Sequence, residues 1–185
     1  MNLERAMQAH YQAIESVTES SQLLTELVAK MTDGLKQGHK VLWMGNGGSA
    51  ADAQHMAAEL MVRYVKNRAP LASIALTTDT SILTAHTNDF EFETVFSRQI
   101  EGLAKPGDIV IGLTTSGQSV NVVKGMEAAQ RLGCLTVAMT GKQPTVLAEL
   151  ADFCFQVNSN ETARIQEAHS FISHLLCEGL DAAFD

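Results

Sequence analysis

The sequence predicts a three-layer αβα sandwich in which five parallel strands are covered by helices, with further helices ahead of the sheet. Three observations carry that prediction. Beyond residue 40, short apolar runs alternate with segments of helical periodicity. The runs lack polar alternation, so they are buried on both faces, as parallel strands between helices must be. Several of the runs open into turns rich in glycine or hydroxyl side chains. The 185 residues suffice for one domain with a substantial core. They are read as a single domain spanning 1–185, with N-terminal helices in 1–37 and an α/β core in 38–185.

Taken in order, Leu3, Met7, Ile14 and Val17 keep helical spacing, as do Leu24, Leu27, Val28, Met31 and Leu35, so 3–37 reads as helix. Gly34 and Gly38 punctuate its end. Lying before the first strand, this region packs outside the sheet or against another subunit, and its long apolar stripes favour oligomer contacts. Strands are predicted at 41–44, 71–76, 109–113, 135–139 and 153–157. Helices are predicted near 49–63, 92–104, 119–132 and 145–150, with a long final helix over about 162–182. No internal repeat, low-complexity tract or linker interrupts the pattern.

Composition narrows the function classes. Hydrophobic content is 45% and charged content 18%, ordinary for a soluble globular chain. With 21 acidic and 13 basic residues the formal net charge is -8, which argues against nucleic acid or an anionic membrane as partner. Cys134, Cys154 and Cys177 have neither disulfide-framework nor C-x-x-C spacing, so buried reduced thiols are expected. The first residues lack a signal-peptide pattern and no apolar stretch approaches a membrane span, so a cytoplasmic location is expected.

Ligands of such sheets sit outside the carboxyl ends of the strands, which directs attention to the turns there. Gly45-Asn46-Gly47-Gly48-Ser49 follows the first strand. Absent β-carbons let a ligand approach the backbone, and Ser49 is placed to cap the next helix. The spacing matches neither G-x-G-x-x-G nor a Walker A loop, which disfavours dinucleotides and nucleoside triphosphates. After the third strand, Thr114-Thr115-Ser116-Gly117-Gln118-Ser119 crowds four hydroxyls at a helix start. One hydroxyl would cap; four with free N–H groups make a phosphate cradle. After the second strand come Thr77-Thr78-Asp79-Thr80 and Thr87-Asn88-Asp89, read equally as turn chemistry or as acceptors for sugar hydroxyls.

His55 and Glu59 lie about 40° apart on one helix face, the spacing of metal ligands or of an acid–base pair. On its own such a pair is an ordinary surface contact; its place on the helix leaving the glycine turn is what singles it out. In the final helix Gln166 and His174 differ by about 80° over two turns and could bracket one pocket. His169 lies about 140° from His174. Either histidine could simply satisfy a buried carbonyl, and helical geometry alone does not choose between them.

Together, Gly45-Asn46-Gly47-Gly48-Ser49, Gln54-His55-x-x-x-Glu59, Thr87-Asn88-Asp89, Thr115-Ser116-Gly117-x-Ser119 and Arg164-Ile165-Gln166-Glu167-x-His169 resemble the phosphoheptose isomerases, enzymes of the flavodoxin-like SIS (sugar isomerase) domain family. The likeness extends over nearly the whole chain. It implies conversion of sedoheptulose 7-phosphate to D-glycero-D-manno-heptose 7-phosphate, an early step toward lipopolysaccharide core heptose. It implies substrate contacts from Asn46, Gly47, Gly48, Ser49, Asn88, Asp89 and Gln166, and a phosphate loop of Thr114, Thr115, Ser116 and Ser119. It implies one zinc ion per subunit among His55, Glu59, Gln166 and His174, with Glu59 and His174 as acid–base pair, and a homotetramer with active sites at subunit borders. His174 rather than His169 is chosen on this resemblance alone. The family often has Ser at Thr114 and Asn at Gln118; neither change removes the hydroxyl or amide. A related SIS protein is a non-enzymatic tetrameric adaptor for the replication initiator; it lacks the counterparts of Glu59 and His174, which this chain has. Arabinose 5-phosphate isomerases usually carry a further regulatory module.

Overall fold

In the computed structural model, which describes residues 2–142 and 144–184, the apolar runs become five strands. These are β1 (Val41–Gly45), β2 (Ser73–Ala75), β3 (Ile109–Leu113), β4 (Leu135–Thr140) and β5 (Phe153–Gln156). They pair in parallel throughout, in the order β2-β1-β3-β4-β5. The three central strands are buried almost end to end. The two edge strands alternate instead, with Ile74 and Gln156 exposed. An edge strand has one flank and part of a face uncovered, so the expected double-sided burial holds only in the middle of the sheet.

Successive residues of each strand face opposite sides, and two cores result. Val41, Trp43, Ile109, Ile111, Val137 and Met139 face one side. That side is covered by α1 (Leu3–Glu15), α2 (Ser21–Lys36), α3 (Gly48–Met61) and α8 (Thr162–Ala183). Leu42, Met44, Val110 and Ala138 face the other side, packed by α5 (Val95–Leu103), α6 (Val120–Arg131) and α7 (Val146–Leu150). The remaining helix, α4 (Thr80–Asp89), packs against α5.

Three local expectations are corrected. The N-terminal helical region is interrupted by a 3-10 turn at Ser16–Ser20, dividing α1 from α2. Residues 71–76 contribute only Ser73–Ala75 to the sheet. The stretch read as turns after β2 is mostly helix: Asp79 caps α4, its Oδ1 accepting from the Ile82 N–H at 2.9 Å. A good N-cap and a docking partner override the poor helix propensity of Thr80, Thr84, Thr87 and Asn88.

The N-terminal helices lie over α8. They bury Ala13, Leu27 and Met31 in the first core, yet leave Leu3, Met7 and Tyr11 of α1 exposed. Among the described residues no helix is long and apolar enough to cross a membrane.

Candidate active site

Strand order reverses between β1 and β3: the chain leaves β1 toward β2 through α3 on one face, and leaves β3 toward β4 through α6 on the other. Connections that diverge this way open a crevice at the carboxyl ends of the two strands. The glycine turn and the hydroxyl turn form its walls. A cavity of about 290 Å³ lies there, lined among others by Asn46, Gly48, Thr114, Thr115, Ser119 and Gln166. A second cavity of about 320 Å³, reached by Ser116, Gln118 and Lys142, adjoins it across Thr115 and Thr162.

The glycine turn works by close approach. Gly47 has φ +57°, a conformation that side chains resist. A β-carbon at Gly48 would overlap the Gln166 carboxamide, so the missing side chain is what lets α8 lay Gln166 against the turn. Gly45 is crowded by Ser49 in the same way. Ser49 is not the cap expected of it: Gly47 is the N-cap of α3, and Ser49 sits inside the first turn, buried. Asn46 holds a partner that sequence reading missed. Its amide exchanges two hydrogen bonds with Asn121, at 2.8 and 2.9 Å, tying the glycine turn to the first turn of α6. An Asn between valines at a helix start was the signal available.

The hydroxyl turn is a connected cluster. Thr114 Oγ1 lies 2.9 Å from Ser119 Oγ and 3.3 Å from Ser116 Oγ, and Ser116 Oγ accepts from the Gln118 N–H. Gly117, at φ +66°, closes the turn, and Thr145 Oγ1 donates to its carbonyl. Hydroxyls that already bond one another are held in place, with rotatable protons left for an anion.

Two turns along α8 from Gln166 is His174, and facing it on α3 are His55 and Glu59. His55 Nε2 lies 3.0 Å from Glu59 Oε1. The His55 and His174 rings meet edge to face, centroids 5.2 Å apart. Residues 115 positions apart in sequence are thus brought into one cluster. His55 is exposed, whereas Glu59 and His174 are half-buried. Among the described residues no three His, Cys, Asp or Glu side chains close on a point as a bound metal requires. Behind the cluster, burial pushes the Cys177 thiol up to about 12, with Glu59 and Asp181 adding to it; it stays a protonated core group.

His169 goes elsewhere. It is fully buried, its Nε2–H donating to the Thr140 carbonyl at 3.2 Å, and burial lowers its pKa to about 4. It is therefore a neutral structural histidine near pH 7. Asn88 and Asp89 are exposed at the end of α4 and bonded to each other (2.7 Å); they line neither of the two cavities, so the chain by itself does not bring them to the crevice.

A sequence model of the SIS domain matches residues 6–141. The chain is 54% identical to phosphoheptose isomerase of Aquifex aeolicus over 158 residues, 85% of this chain and 83% of that one. The chain belongs to the phosphoheptose isomerase family. A relative of the same name from a Nitratiruptor species is 45% identical and spans 99% of this chain and 98% of its own. The solved phosphoheptose isomerase of Neisseria gonorrhoeae superposes with a TM-score of 0.83 at 38% identity, covering 98% of this chain and all of that one. That of Francisella tularensis gives 0.84 at 32% identity, with 98% of this chain and 100% of its own covered. The chain thus has the SIS fold expected from its sequence.

Proposed function

We propose that this family member is an aldose–ketose isomerase that converts sedoheptulose 7-phosphate to D-glycero-D-manno-heptose 7-phosphate. One observation carries the reading: Glu59 of α3 and His174 of α8 converge beside His55, with a hydroxyl-lined cavity further along α8. Gln166 lines that cavity together with Thr114, Thr115 and Ser119. The anion of the sugar phosphate sits on Thr114, Thr115, Ser116 and Ser119.

The chemistry moves two protons. The Glu59 carboxylate removes a proton from C1 of the ketose while the His174 imidazole protonates O2, giving a cis-enediol. His174 then takes the O1 proton and Glu59 returns its proton to C2, leaving the aldose. Imidazole suits the oxygens because it donates and accepts near neutral pH. Gly47 lets the sugar approach the backbone, Gly48 admits the Gln166 carboxamide beside it, and Asn46, fixed by Asn121, shapes the same wall. Ser49 lines the same cavity, whereas Asn88 and Asp89 would meet a sugar only across a subunit border.

The same reading includes one zinc ion per subunit, which His55, Glu59, Gln166 and His174 would hold on drawing closer together than they stand here. Two imidazoles, a carboxylate and an amide oxygen are acceptable donors for zinc, the amide pointing to modest affinity. When bound, zinc would polarise the carbonyl and hold the sugar oxygens. It also includes a cytoplasmic homotetramer with active sites at subunit borders, supported by the uncovered Leu3, Met7 and Tyr11 stripe of α1.

The direct test is incubation with sedoheptulose 7-phosphate, with and without zinc, reading out the aldose. No aldose under either condition ends the isomerase reading. Elemental analysis after mild purification and treatment with a chelator test the metal; absence of zinc together with undiminished turnover removes it. Light scattering tests the tetramer.

A further inference from the structure

Behind the acid–base cluster lies a buried ion pair that the proposed chemistry does not use. Arg68 is buried in the irregular segment after α3, and its Nε donates to Asp181 Oδ1 of α8 at 2.7 Å. The guanidinium also donates to the carbonyls of Leu60 (2.9 Å), Ala69 (3.1 Å) and Glu59 (3.1 Å). The last carbonyls of a helix lack intrahelical partners; here Arg68 supplies them, and one belongs to Glu59. The other carboxylate oxygen of Asp181 accepts from the N–H groups of Val65 (2.9 Å) and Lys66 (2.8 Å). One carboxylate thus pins both ends of a short, otherwise irregular stretch of backbone.

Immediately before those anchors sits Tyr64. Its ring stacks on the His174 imidazole, 5.7 Å between centroids and 27° between planes. The His174 ring thus contacts both Tyr64, near-parallel, and His55, at a steep angle. Asp181 lies seven residues beyond His174, about 20° away on the same helix face. The geometry joins three things: the end of α3 that presents Glu59, the aromatic ring against His174, and the face of α8 that carries His174.

We propose that Tyr64, locked in place by the Arg68–Asp181 clamp, is a positioning residue that sets the orientation of the His174 imidazole relative to Glu59. Buried ion pairs are poor sources of net stability, since apolar replacements often do as well. This one bonds to the backbone at five points, so its consequence is placement. The χ2 torsion of histidine is soft, and a stacked ring restricts it where hydrogen bonds to the imidazole would interfere with proton transfer. The inference rests on the isomerase reading of Glu59 and His174.

The test compares Tyr64→Leu with Tyr64→Phe. Loss of the ring face should lower kcat by about tenfold or more while KM stays within about twofold, since substrate binding is untouched and only the reacting geometry degrades. Tyr64→Phe keeps the ring and should retain most of kcat. A fall in stability alone does not produce that split. The second arm is independent of turnover: in metal-free protein, the His174 ring-proton NMR signals should carry a ring-current shift that Tyr64→Leu abolishes and Tyr64→Phe preserves. Asp181→Asn should move the same signals in the direction of Tyr64→Leu. Unmoved His174 signals in Tyr64→Leu, unchanged kcat, or an equal loss of kcat in Tyr64→Phe overturns the proposal. An inactive wild type would overturn the isomerase reading, and the NMR arm would still decide the positioning of His174.

Discussion

Gly48→Ala separates the demands of the fold from those of the site. Gly48 is the first residue of α3 and is not among the glycines with positive φ, so alanine is compatible with its backbone. By itself that change should stabilise the chain by about 0.4–1 kcal/mol, through the lower entropy of the unfolded state. What the new β-carbon meets is the Gln166 carboxamide, whose Cδ and Oε1 lie 2.8 Å from its position, whereas ordinary contacts begin at 3.4 Å. The carboxamide is the far end of a flexible side chain, so it should move aside without unfolding α8. Gln166 would then leave its place at the crevice by more than half an ångström. Misplacement approaching 1 Å costs on the order of 100-fold in rate, so kcat/KM should fall by about 10- to 100-fold, or about 1.4–2.7 kcal/mol of transition-state stabilisation. Thermal unfolding read beside the isomerase assay distinguishes the two effects. Undiminished kcat/KM would show that Gln166 takes no part in the site. A collapse of the melting temperature would show that Gln166 cannot yield, and the steric reasoning would fail.

Other expectations concern the chemistry and the supports. Glu59→Gln and His174→Ala should each lower kcat by at least the 10²–10⁴-fold typical of a lost general acid or base, with the circular dichroism spectrum retained; near-normal turnover in either rejects its role. Asn121→Ala strands the Asn46 amide and should cost about 1–3 kcal/mol in denaturant unfolding, and unchanged stability would argue against the reciprocal pair. Asp108 is buried; burial raises its pKa, but the Lys40 ammonium and the N–H groups of Lys40 and Lys105 outweigh that and hold it below the usual carboxylate range. Its folded pKa being lower than the unfolded value of about 3.9, its contribution is full well above that value and disappears as pH falls through the folded one. Stability should therefore fall less between pH 5 and the acid limit in Asp108→Asn than in wild type, and parallel curves would contradict the assignment.

The middle of the sheet was legible because burial on both faces forces uniformly apolar strands, as in Val41-Leu42-Trp43-Met44 and Ile109-Val110-Ile111. The two turns were legible for a related reason: three glycines or four hydroxyls exceed what local structure needs. Helix α4 was not, because Thr80, Thr84, Thr87 and Asn88 argue against helix, and only Asp79 as a cap argued for it. Arg68 and Asp181 were hidden more deeply. An arginine in an irregular segment and an aspartate near the end of a helix both read as surface residues, 113 positions apart; pairing makes their burial tolerable, and pairing across that separation leaves no mark in a single sequence.

His169 and His174 show the same limit and its resolution. Helical geometry puts them on different faces of α8 but does not say which face meets α3. The partners do. The face of His169 turns to the end of β4, where solvent is excluded and the Thr140 carbonyl accepts one N–H. There a proton would be costly to add, which unfits the ring for acid–base exchange near pH 7. The face of His174 turns to α3, toward a carboxylate, a second imidazole and a tyrosine ring, with partial access to solvent. Exchanging the roles by substitution tests this directly: His169→Asn, which can still donate to Thr140, should lower stability more than kcat, and His174→Asn the reverse. If His169→Asn abolished turnover in a fully folded protein while His174→Asn spared it, the assignment of chemistry to the α3-facing side of α8 would be wrong.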